Sequence, residues 1–293
     1  MNSETQTKPI PTPTRTETQT HTQTQTQTQT QTQTQTTTPA QAAAQTHGTA
    51  RVVVVTGAGT GIGRATARAF ARQGATVVAV GRRPGPLDET AEGFPGIRPV
   101  VADITAQGAP EDVVRAAVET YGRLDVLVNN AGIACGGPLG TLDREVIGPL
   151  VETNLVAPVL LTQAAVRALE ASRGVVVNVT TTVGQRGWPG NSVYPATKSA
   201  LETLTRCWAV ELAPRGIRVA AVAPGAIETP IADHMGLSAE QREAVRKWQL
   251  AHIPLGRIGR PEEVAWAITA LAAPDAGYLT GTVLPVDGGA LVS

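Results

Sequence analysis

Short runs of β-branched residues alternate with helix-length amphipathic segments over most of this chain. Residues 51–56 read RVVVVT, a continuous apolar run that is typical of a strand buried on both faces of a parallel sheet. A glycine-rich turn follows, and then a helical pattern over residues 62–73, a stop at Gly74 and a second strand over residues 75–80. This order predicts a β-α-β unit.

The same rhythm continues to the end of the chain. Further strand-like runs occupy residues 97–104, 124–129, 174–181, 217–223 and 282–286, with helix-length segments between most of them. Alternation of this kind, without consecutive runs of strands, favours one doubly wound parallel sheet. We therefore predict an α/β fold, a single Rossmann-type domain over residues 51–293 with a seven-stranded parallel sheet flanked by helices.

Residues 1–50 have a different composition. A strict Gln-Thr alternation covers residues 23–36, and its flanks contain almost no large apolar side chain. Such a segment cannot bury enough surface to offset its ordering entropy, so we expect a disordered tail. Intermolecular β pairing of the Gln-rich tract is the alternative. We find neither the apolar segment of a secretory signal nor the arginines of a transit peptide.

Overall composition favours a small-molecule partner. Hydrophobic residues make up 42% of the 293 positions, and 24 basic residues balance 24 acidic ones, so no global field attracts nucleic acid. No uninterrupted apolar run approaches the roughly 20 residues of a membrane span. Cys135 and Cys207 lack disulfide or zinc-ligand spacing, and we interpret them as packing residues. We expect a soluble cytoplasmic protein with no metal and no membrane partner.

The turn after the first strand, residues 56–63 (TGAGTGIG), has the chemistry of a phosphate site. Its glycines follow G-x-x-x-G-x-G rather than G-x-G-x-x-G. Glycines permit close backbone approach, and the following helix start offers free N–H groups to a pyrophosphate. The predicted contacts come from Gly57, Thr60, Gly61 and Ile62. A merely flexible loop is the alternative.

Arginine follows the second strand where an NAD enzyme of this architecture usually has an acid. The chain reads Gly81-Arg82-Arg83, and no acid appears until Asp88. A guanidinium suits a 2'-phosphate, so Arg82 predicts NADP(H) in preference to NAD(H). The alternative is that both arginines lie on an exposed loop and bind no cofactor.

Tyr194 and Lys198 are four residues apart at the start of an apolar helical pattern, so they share one helix face. A free tyrosine has a pKa of about 10, but a nearby ammonium and a cationic nicotinamide ring would stabilise its phenolate. Tyr194 would then act as general acid in reduction and general base in oxidation. Taken alone, this spacing favours a pair on an exposed helix surface over a catalytic pair.

Together, the glycine turn, Tyr194 and Lys198 resemble the short-chain dehydrogenase/reductase family, in particular its 3-oxoacyl-acyl-carrier-protein reductase-like ketoreductases. The resemblance covers residues 51–293. It includes the segments VADI (101–104), NNAG (129–132) and PGAIETP (224–230). It implies cofactor contacts by Asp103, Ile104, Asn130, Ala131, Gly132, Tyr194, Lys198, Pro224, Gly225, Ile227 and Thr229.

Two further residues come from the same resemblance. Asn154 falls where the family keeps an asparagine that interrupts a long helix and supports a proton relay to the lysine. The family's serine thirteen residues before the tyrosine is replaced by Thr181, which keeps the hydroxyl but adds a methyl group. Strand alternation predicts that Thr180 and Thr182 face away from Thr181, unless the strand has ended. If Thr181→Ala leaves turnover unchanged, either Thr182 or no hydroxyl at all fills this role.

These features predict an NADP(H)-dependent oxidoreductase acting on a small carbonyl or alcohol substrate. A nucleotide-binding sensor or scaffold without catalysis is the alternative. We expect specificity from residues 135–139, 184–191 and 231–250, the last carrying His234, Met235 and Trp248, each of which fits packing as well as substrate contact. The resemblance also implies a homo-tetramer or homo-dimer that pairs through two long helices, about residues 143–169 and 194–212.

Overall fold

Seven parallel strands form one twisted sheet in the order β3-β2-β1-β4-β5-β6-β7. The predicted doubly wound α/β fold is thereby confirmed. The strands are β1 (Val52–Thr56), β2 (Thr76–Gly81), β3 (Ile97–Val101), β4 (Val126–Asn129), β5 (Val175–Val179), β6 (Arg218–Pro224) and β7 (Val283–Val286).

The computed structural model describes residues 50–185, 190–231 and 238–293. The predicted disordered tail falls on residues 1–49 and lies outside this described part. His234 and Met235, singled out above, also lie outside it.

Helices cover both faces of the sheet. They are α1 (Gly61–Arg72), α2 (Pro84–Ala91), α3 (Ala109–Tyr121), α4 (Arg144–Val151), α5 (Ala157–Ser172), α6 (Val193–Leu212), α7 (Ala239–His252) and α8 (Pro261–Leu271).

The side chains of β1 show how the two layers form. Val53 and Val55 join a buried cluster with α1 and α8, whereas Val52 and Val54 join a second cluster with α3, α5 and α6. Successive strand side chains point to opposite faces of the sheet, so the four consecutive valines of β1 pack into both hydrophobic clusters.

Two predicted strands end early, at the edge of the sheet where the functional residues lie. Residues 97–104 pair only as far as Val101, since the Asp103 carboxylate accepts hydrogen bonds from the Thr105 backbone and hydroxyl and turns the chain. Residues 174–181 pair only as far as Val179. The long helix predicted over residues 143–169 is interrupted by a π-helical segment, Glu152–Val156, between α4 and α5.

Within the described residues, one helical run, Arg144–Ser172, is long and apolar enough for a membrane span, with a mean hydropathy of 1.3. The run contains polar residues such as Glu152. It is therefore not an uninterrupted apolar stretch, in agreement with the sequence. Leu161 and Leu169 on its inner face are fully buried against the sheet. Its position is that of a core helix in this α/β fold.

Candidate functional site

A cleft of about 1150 Å³ opens at the carboxyl ends of the strands. Strand order reverses between β1 and β4, which is where a doubly wound sheet forms its ligand crevice. The residues predicted to contact a cofactor all line this cleft: Gly57, Thr60, Gly61, Ile62, Arg82, Asp103, Ile104, Asn130, Ala131, Gly132, Tyr194, Lys198, Pro224, Gly225, Ile227 and Thr229.

The glycine turn between β1 and α1 is held so tightly that side chains are excluded. A Cβ at Gly63 would lie 2.2 Å from the Gly57 carbonyl oxygen, and Gly57 and Gly61 have positive φ angles of 65° and 50°. Thr60 makes no side-chain cap and the first turn of α1 carries no acid, so its N–H groups remain available to an anion. The turn therefore fits a pyrophosphate better than it fits a flexible loop.

The end of β4 reinforces this turn. Asn130 Nδ2 donates to the Thr56 carbonyl oxygen at 2.8 Å, and the Ala131 N–H donates to Thr56 Oγ1 at 3.0 Å. These bonds tie the NNAG segment to the strand end from which the glycine turn leaves. The central crevice is thus rigid on both sides.

Sequence reasoning missed two residues that anchor the turn from its outer side. Arg64 Nε donates to the Gly59 carbonyl oxygen at 2.9 Å, and its Nη2 reaches Glu89 Oε2 at 2.7 Å. Thr90, fully buried, donates from its hydroxyl to the Ala58 carbonyl oxygen at 2.9 Å. Both connect the turn to α2. No local motif reveals the contacts with α2, because Arg64 and Glu89, like Ala58 and Thr90, are more than 20 residues apart.

Arg82 and Arg83 leave β2 as exposed side chains on the wall of the cleft, just before α2 begins. Asp103 lines the same wall. Hydrogen bonds from the Thr105 backbone and hydroxyl, with a smaller contribution from the Arg82 charge, lower the pKa of Asp103 below its ordinary value. This end of the cleft therefore presents two guanidinium groups and one ionised carboxylate.

Asn154 lies directly behind the cleft, on the π-helical segment. Its carboxamide makes a two-way bond with the Ile133 backbone, accepting from N–H and donating to the carbonyl oxygen, both at 2.9 Å. Its Nδ2 also donates to Thr197 Oγ1 at 3.2 Å. Asn154 is fully buried, so these bonds fix the segment after β4 against α6.

Lys198, on α6, is buried with its ammonium inside the fold. Nζ donates to the Val179 carbonyl oxygen at 2.9 Å, and burial lowers the pKa of Lys198 to about 8. A Cβ at Gly132 would lie 3.1 Å from Nζ and 3.2 Å from Asn154 Oδ1. Gly132 therefore leaves the space in which lysine and asparagine approach each other.

Tyr194 lies one turn before Lys198 and is half-buried on the wall of the cleft. Burial raises the pKa of Tyr194, and a hydrogen bond with Thr181 offsets part of that rise. The sequence predicts that the lysine and a cationic nicotinamide ring together lower this pKa. Burial is the largest influence on the pKa of Tyr194 here, and the combined effect of lysine and nicotinamide stays a prediction. The phenol is consequently protonated at neutral pH.

The three consecutive threonines do not alternate as strand residues, because β5 ends at Val179. Thr180 donates to the Val222 carbonyl oxygen, whereas Thr181 and Thr182 both lie 3.4 Å from the Pro224 carbonyl oxygen. The alternation that we used to select Thr181 is therefore wrong. What distinguishes Thr181 is its hydrogen bond with the Tyr194 phenol.

The segment after β6 closes the cleft opposite the glycine turn. A Cβ at Gly61 would lie 3.1 Å from Thr229 Cγ2, so the two segments touch. Ile227 forms a β-bridge with Gly259, which holds the segment in place. A Cβ at Gly225 would lie 2.7 Å from the Cβ of Asp287, so this glycine permits close packing against the last strand's end.

The predicted specificity regions also contribute to the cleft, although one of them is not a loop. Residues 239–252 form α7, which begins with a capping box between Ser238 and Gln241. That S-x-x-Q pattern is a signal from which the helix could have been predicted. Trp248 stacks on His252, with ring centroids 4.1 Å apart, and both line the cleft. Gly136, Gly137 and Asn191 line it from the other two regions.

Comparison with known proteins gives consistent matches over most of the chain. The family model described as "Enoyl-(Acyl carrier protein) reductase" matches residues 57–290. A 3-oxoacyl-acyl-carrier-protein reductase from Thermotoga maritima is 42% identical over 234 residues, 78% of this chain and 93% of that protein. An L-xylulose reductase from Bos taurus is 40% identical over 232 residues, 78% of this chain and 92% of that protein.

A solved structure agrees. The crystal structure of a 3-ketoacyl-(acyl-carrier-protein) reductase from Brucella melitensis complexed with NADH superposes with a TM-score of 0.76 at 33% identity. The superposition covers 82% of this chain and 98% of that one.

Proposed function

Because the chain belongs to the short-chain dehydrogenase/reductase family and is an oxidoreductase, we propose that it is an NADP(H)-dependent ketoreductase acting on a carbonyl or the corresponding secondary alcohol. One observation carries the proposal. The Tyr194 phenol, the Thr181 hydroxyl and the Lys198 ammonium converge on the cleft that also holds the glycine turn.

In the proposed reaction, the bound nicotinamide supplies the hydride to the carbonyl carbon. Tyr194 donates its phenolic proton to the carbonyl oxygen, which becomes the alcohol. The Thr181 hydroxyl bonds the phenol in the free site, and in the proposed reaction it turns its single hydrogen to the same carbonyl oxygen when substrate binds. The raised pKa of Tyr194 supports the acid role, since the phenol is protonated before substrate arrives.

Lys198 completes the proposed proton path. One of its three N–H donors is used by the Val179 carbonyl oxygen, which leaves two for the cleft. With a pKa of about 8, the amine is largely protonated at neutral pH and can restore the proton that Tyr194 gives up. Asn154 holds the backbone of Ile133 in place through two hydrogen bonds. Its position next to the lysine site supports the proton-relay role expected for this asparagine.

Selectivity for NADP(H) over NAD(H) is proposed from Arg82. Its guanidinium lines the cleft directly after β2, where a 2'-phosphate would gain charge-assisted hydrogen bonds. The test is the ratio of kcat/KM with NADPH to kcat/KM with NADH. We expect the wild type to favour NADPH and Arg82→Asp to shrink that preference. Equal use of both cofactors by the wild type would contradict it.

The decisive experiment for the reaction is a screen of NADPH oxidation against diverse ketones, with Tyr194→Phe as the matched control. We expect turnover by the wild type and a loss of about 100-fold or more in Tyr194→Phe, since general acid catalysis contributes this much. A protein that binds NADPH but reduces no carbonyl in the screen would instead favour the sensor or scaffold.

A homo-oligomer and a cytoplasmic location belong to the same proposal. The outer faces of α5 and α6 expose apolar side chains, Leu160 at 40% and Val210 at 79% of their full area. Cys135 and Cys207 are free thiols, which suits a reducing compartment. Sedimentation should show a dimer or tetramer that Val210→Glu weakens, and a wild-type monomer would contradict the pairing. Cell fractionation tests the location.

A further inference from the structure

Asn191 is a buried amide on the wall of the cleft whose oxygen has no hydrogen-bond partner. The residue is 8% exposed, and its Oδ1 finds no donor in the described part of the chain. It lies between Gly190, whose carbonyl oxygen accepts from the Gly137 N–H at 2.9 Å, and the start of α6. A Cβ at Gly136 would be 3.6 Å from Asn191 Oδ1, so the amide faces the segment opposite.

An isolated polar group of this kind is costly to the folded protein. A buried amide without a hydrogen bond loses its hydration and gains nothing in return, so native structures rarely keep one. The neighbouring polar groups of the site differ in this respect. Asn154 uses both its oxygen and its nitrogen, and Lys198 donates to a backbone carbonyl. Thr66 Oγ1 and Asn129 Oδ1 are also buried without a partner, but neither residue lines the cleft, so among the described residues Asn191 Oδ1 is the unpartnered buried atom on its wall.

The position of Asn191 relates this amide to the reacting atoms. Asn191 is three positions before Tyr194, so their Cα atoms are at most about 11 Å apart. Both residues line the same cleft. A carbonyl held at the Tyr194 phenol thus places the neighbouring atoms of the same substrate within reach of Asn191. The reacting carbonyl itself is met by Tyr194 and Thr181, so the amide is left for a second polar group.

We propose that Asn191 is a specificity-determining residue that hydrogen-bonds a second oxygen function of the substrate, close to the carbonyl that is reduced. The substrate class is then hydroxy- or oxo-substituted carbonyl compounds rather than simple ketones. A carboxamide suits either partner, because it accepts from a hydroxyl through Oδ1 and donates to a carbonyl through Nδ2. This inference rests on the proposed ketoreductase function.

Two pairs of substrates matched in chain length test it with the full-length enzyme and NADPH. Ethyl acetoacetate is compared with methyl pentyl ketone, and hydroxyacetone is compared with butanone. Within each pair we measure the ratio of kcat/KM for the dioxygenated substrate to kcat/KM for the simple ketone. Intrinsic reactivity differs within a pair, but it cancels when the ratio of a variant is divided by that of the wild type.

In Asn191→Leu, which replaces the amide by an apolar side chain of similar size, we expect that ratio to fall by about tenfold or more in at least one pair. Asn191→Ala should show the same fall without added bulk. The melting temperature of Asn191→Leu should stay level or rise by about 2 °C, because an unsatisfied polar group is removed. Gln73→Leu, an exposed amide just after α1 and outside the cleft, is the matched control and should change neither quantity.

Opposite outcomes would overturn the inference. Ratios that stay within about twofold of the wild type in both variants would show that Asn191 does not bind the second oxygen function of the substrate. A lower melting temperature together with an equal loss on all four substrates would assign Asn191 a purely structural role. A wild type that reduces none of the four carbonyls, nor any ketone in the wider screen, would contradict the ketoreductase function itself.

Discussion

Lys198 Nζ donates a hydrogen bond of 2.9 Å to the carbonyl oxygen of Val179, the last residue of β5. The bond joins the start of α6 to the edge of the sheet, at the point where the threonine segment begins. It holds the buried ammonium of a lysine one helical turn after Tyr194. Among the described residues, no carboxylate contributes to the pKa of this lysine. Burial alone then lowers the lysine pKa to about 8, within the range of ordinary assays.

The first prediction concerns the pH dependence of carbonyl reduction. We expect kcat/KM to fall as pH rises through about 8, because Lys198 loses the proton that it relays to Tyr194. The raised pKa of Tyr194 keeps the phenol protonated over the same range, so the first ionisation belongs to the lysine. Initial rates with NADPH in a series of buffers measure it.

Lys198→Arg is the matched variant for that profile. A guanidinium stays charged to high pH, so the fall near pH 8 should be absent even where overall activity is lower. A wild-type profile that is flat from about pH 7 to 9 would contradict the assignment.

The same buried lysine predicts how stability changes with pH. Its pKa is about 8 in the folded protein, below the ordinary 10.5, so the unfolded chain binds more protons between these values. The lysine therefore destabilises the folded state most below pH 8, and this penalty is relieved as pH rises towards 10.5. Lys198→Met should raise the free energy of unfolding at neutral pH by a few kcal/mol, order of magnitude only. Urea unfolding at pH 7 and about pH 10 checks that the gain shrinks, and a gain independent of pH would refute the mechanism.

Thr181 gives the third prediction. Thr181→Ala removes the hydroxyl that bonds the Tyr194 phenol, and we expect kcat to fall by about 10- to 100-fold with a smaller change in KM for NADPH. Thr181→Ser keeps the hydroxyl and should retain most of the rate. Thr182→Ala is the control at the neighbouring hydroxyl. If Thr182→Ala is the slower enzyme, the role belongs to Thr182.

Periodicity and glycine placement were enough to predict the sheet and the cleft. The four consecutive valines of β1 must be buried on both faces, and the TGAGTGIG turn that follows must lie close to another backbone. Few folds other than a doubly wound parallel sheet meet both requirements. The cofactor-side residues consequently line one cleft as expected. Their individual roles stay predictions until variants are assayed.

Other features depend on contacts that no local pattern encodes. The end of β5 at Val179 is set by the neighbouring β6, so alternation could not decide among the threonines. The pKa of Tyr194 depends on how deeply α6 buries the phenol, which spacing to Lys198 does not report. Thr90 of α2 reaches the turn at a separation where sequence gives no register, and the contacts of Arg64 with Thr90 and Glu89 span similar separations.

Removal of the N-terminal segment gives the fourth prediction. The chain without residues 1–48 should keep its melting temperature and its kcat/KM, because such a Gln/Thr-rich sequence cannot form a core of its own. Thermal unfolding and NADPH oxidation of the two forms, purified in parallel, provide the comparison. An insoluble or inactive shortened protein would show that the segment supports the domain.

The last prediction follows from the contacts of Arg64. Its guanidinium holds the Gly59 carbonyl oxygen on one side and Glu89 of α2 on the other, so it couples the phosphate turn to the segment that starts just after Arg82 and Arg83. Arg64→Met should raise KM for NADPH by about tenfold, with a smaller change in kcat, because the site must be reordered at each binding event. KM for NADH should rise less, since the proposed contact with the arginine end of the cleft is made by the 2'-phosphate, which NADH lacks. Arg72→Met is the control on the same helix, as its guanidinium lies over the Phe94 ring at 5.1 Å. If both variants raise KM for NADPH equally, the effect is one of surface charge, and Arg64 has no special part in placing the turn.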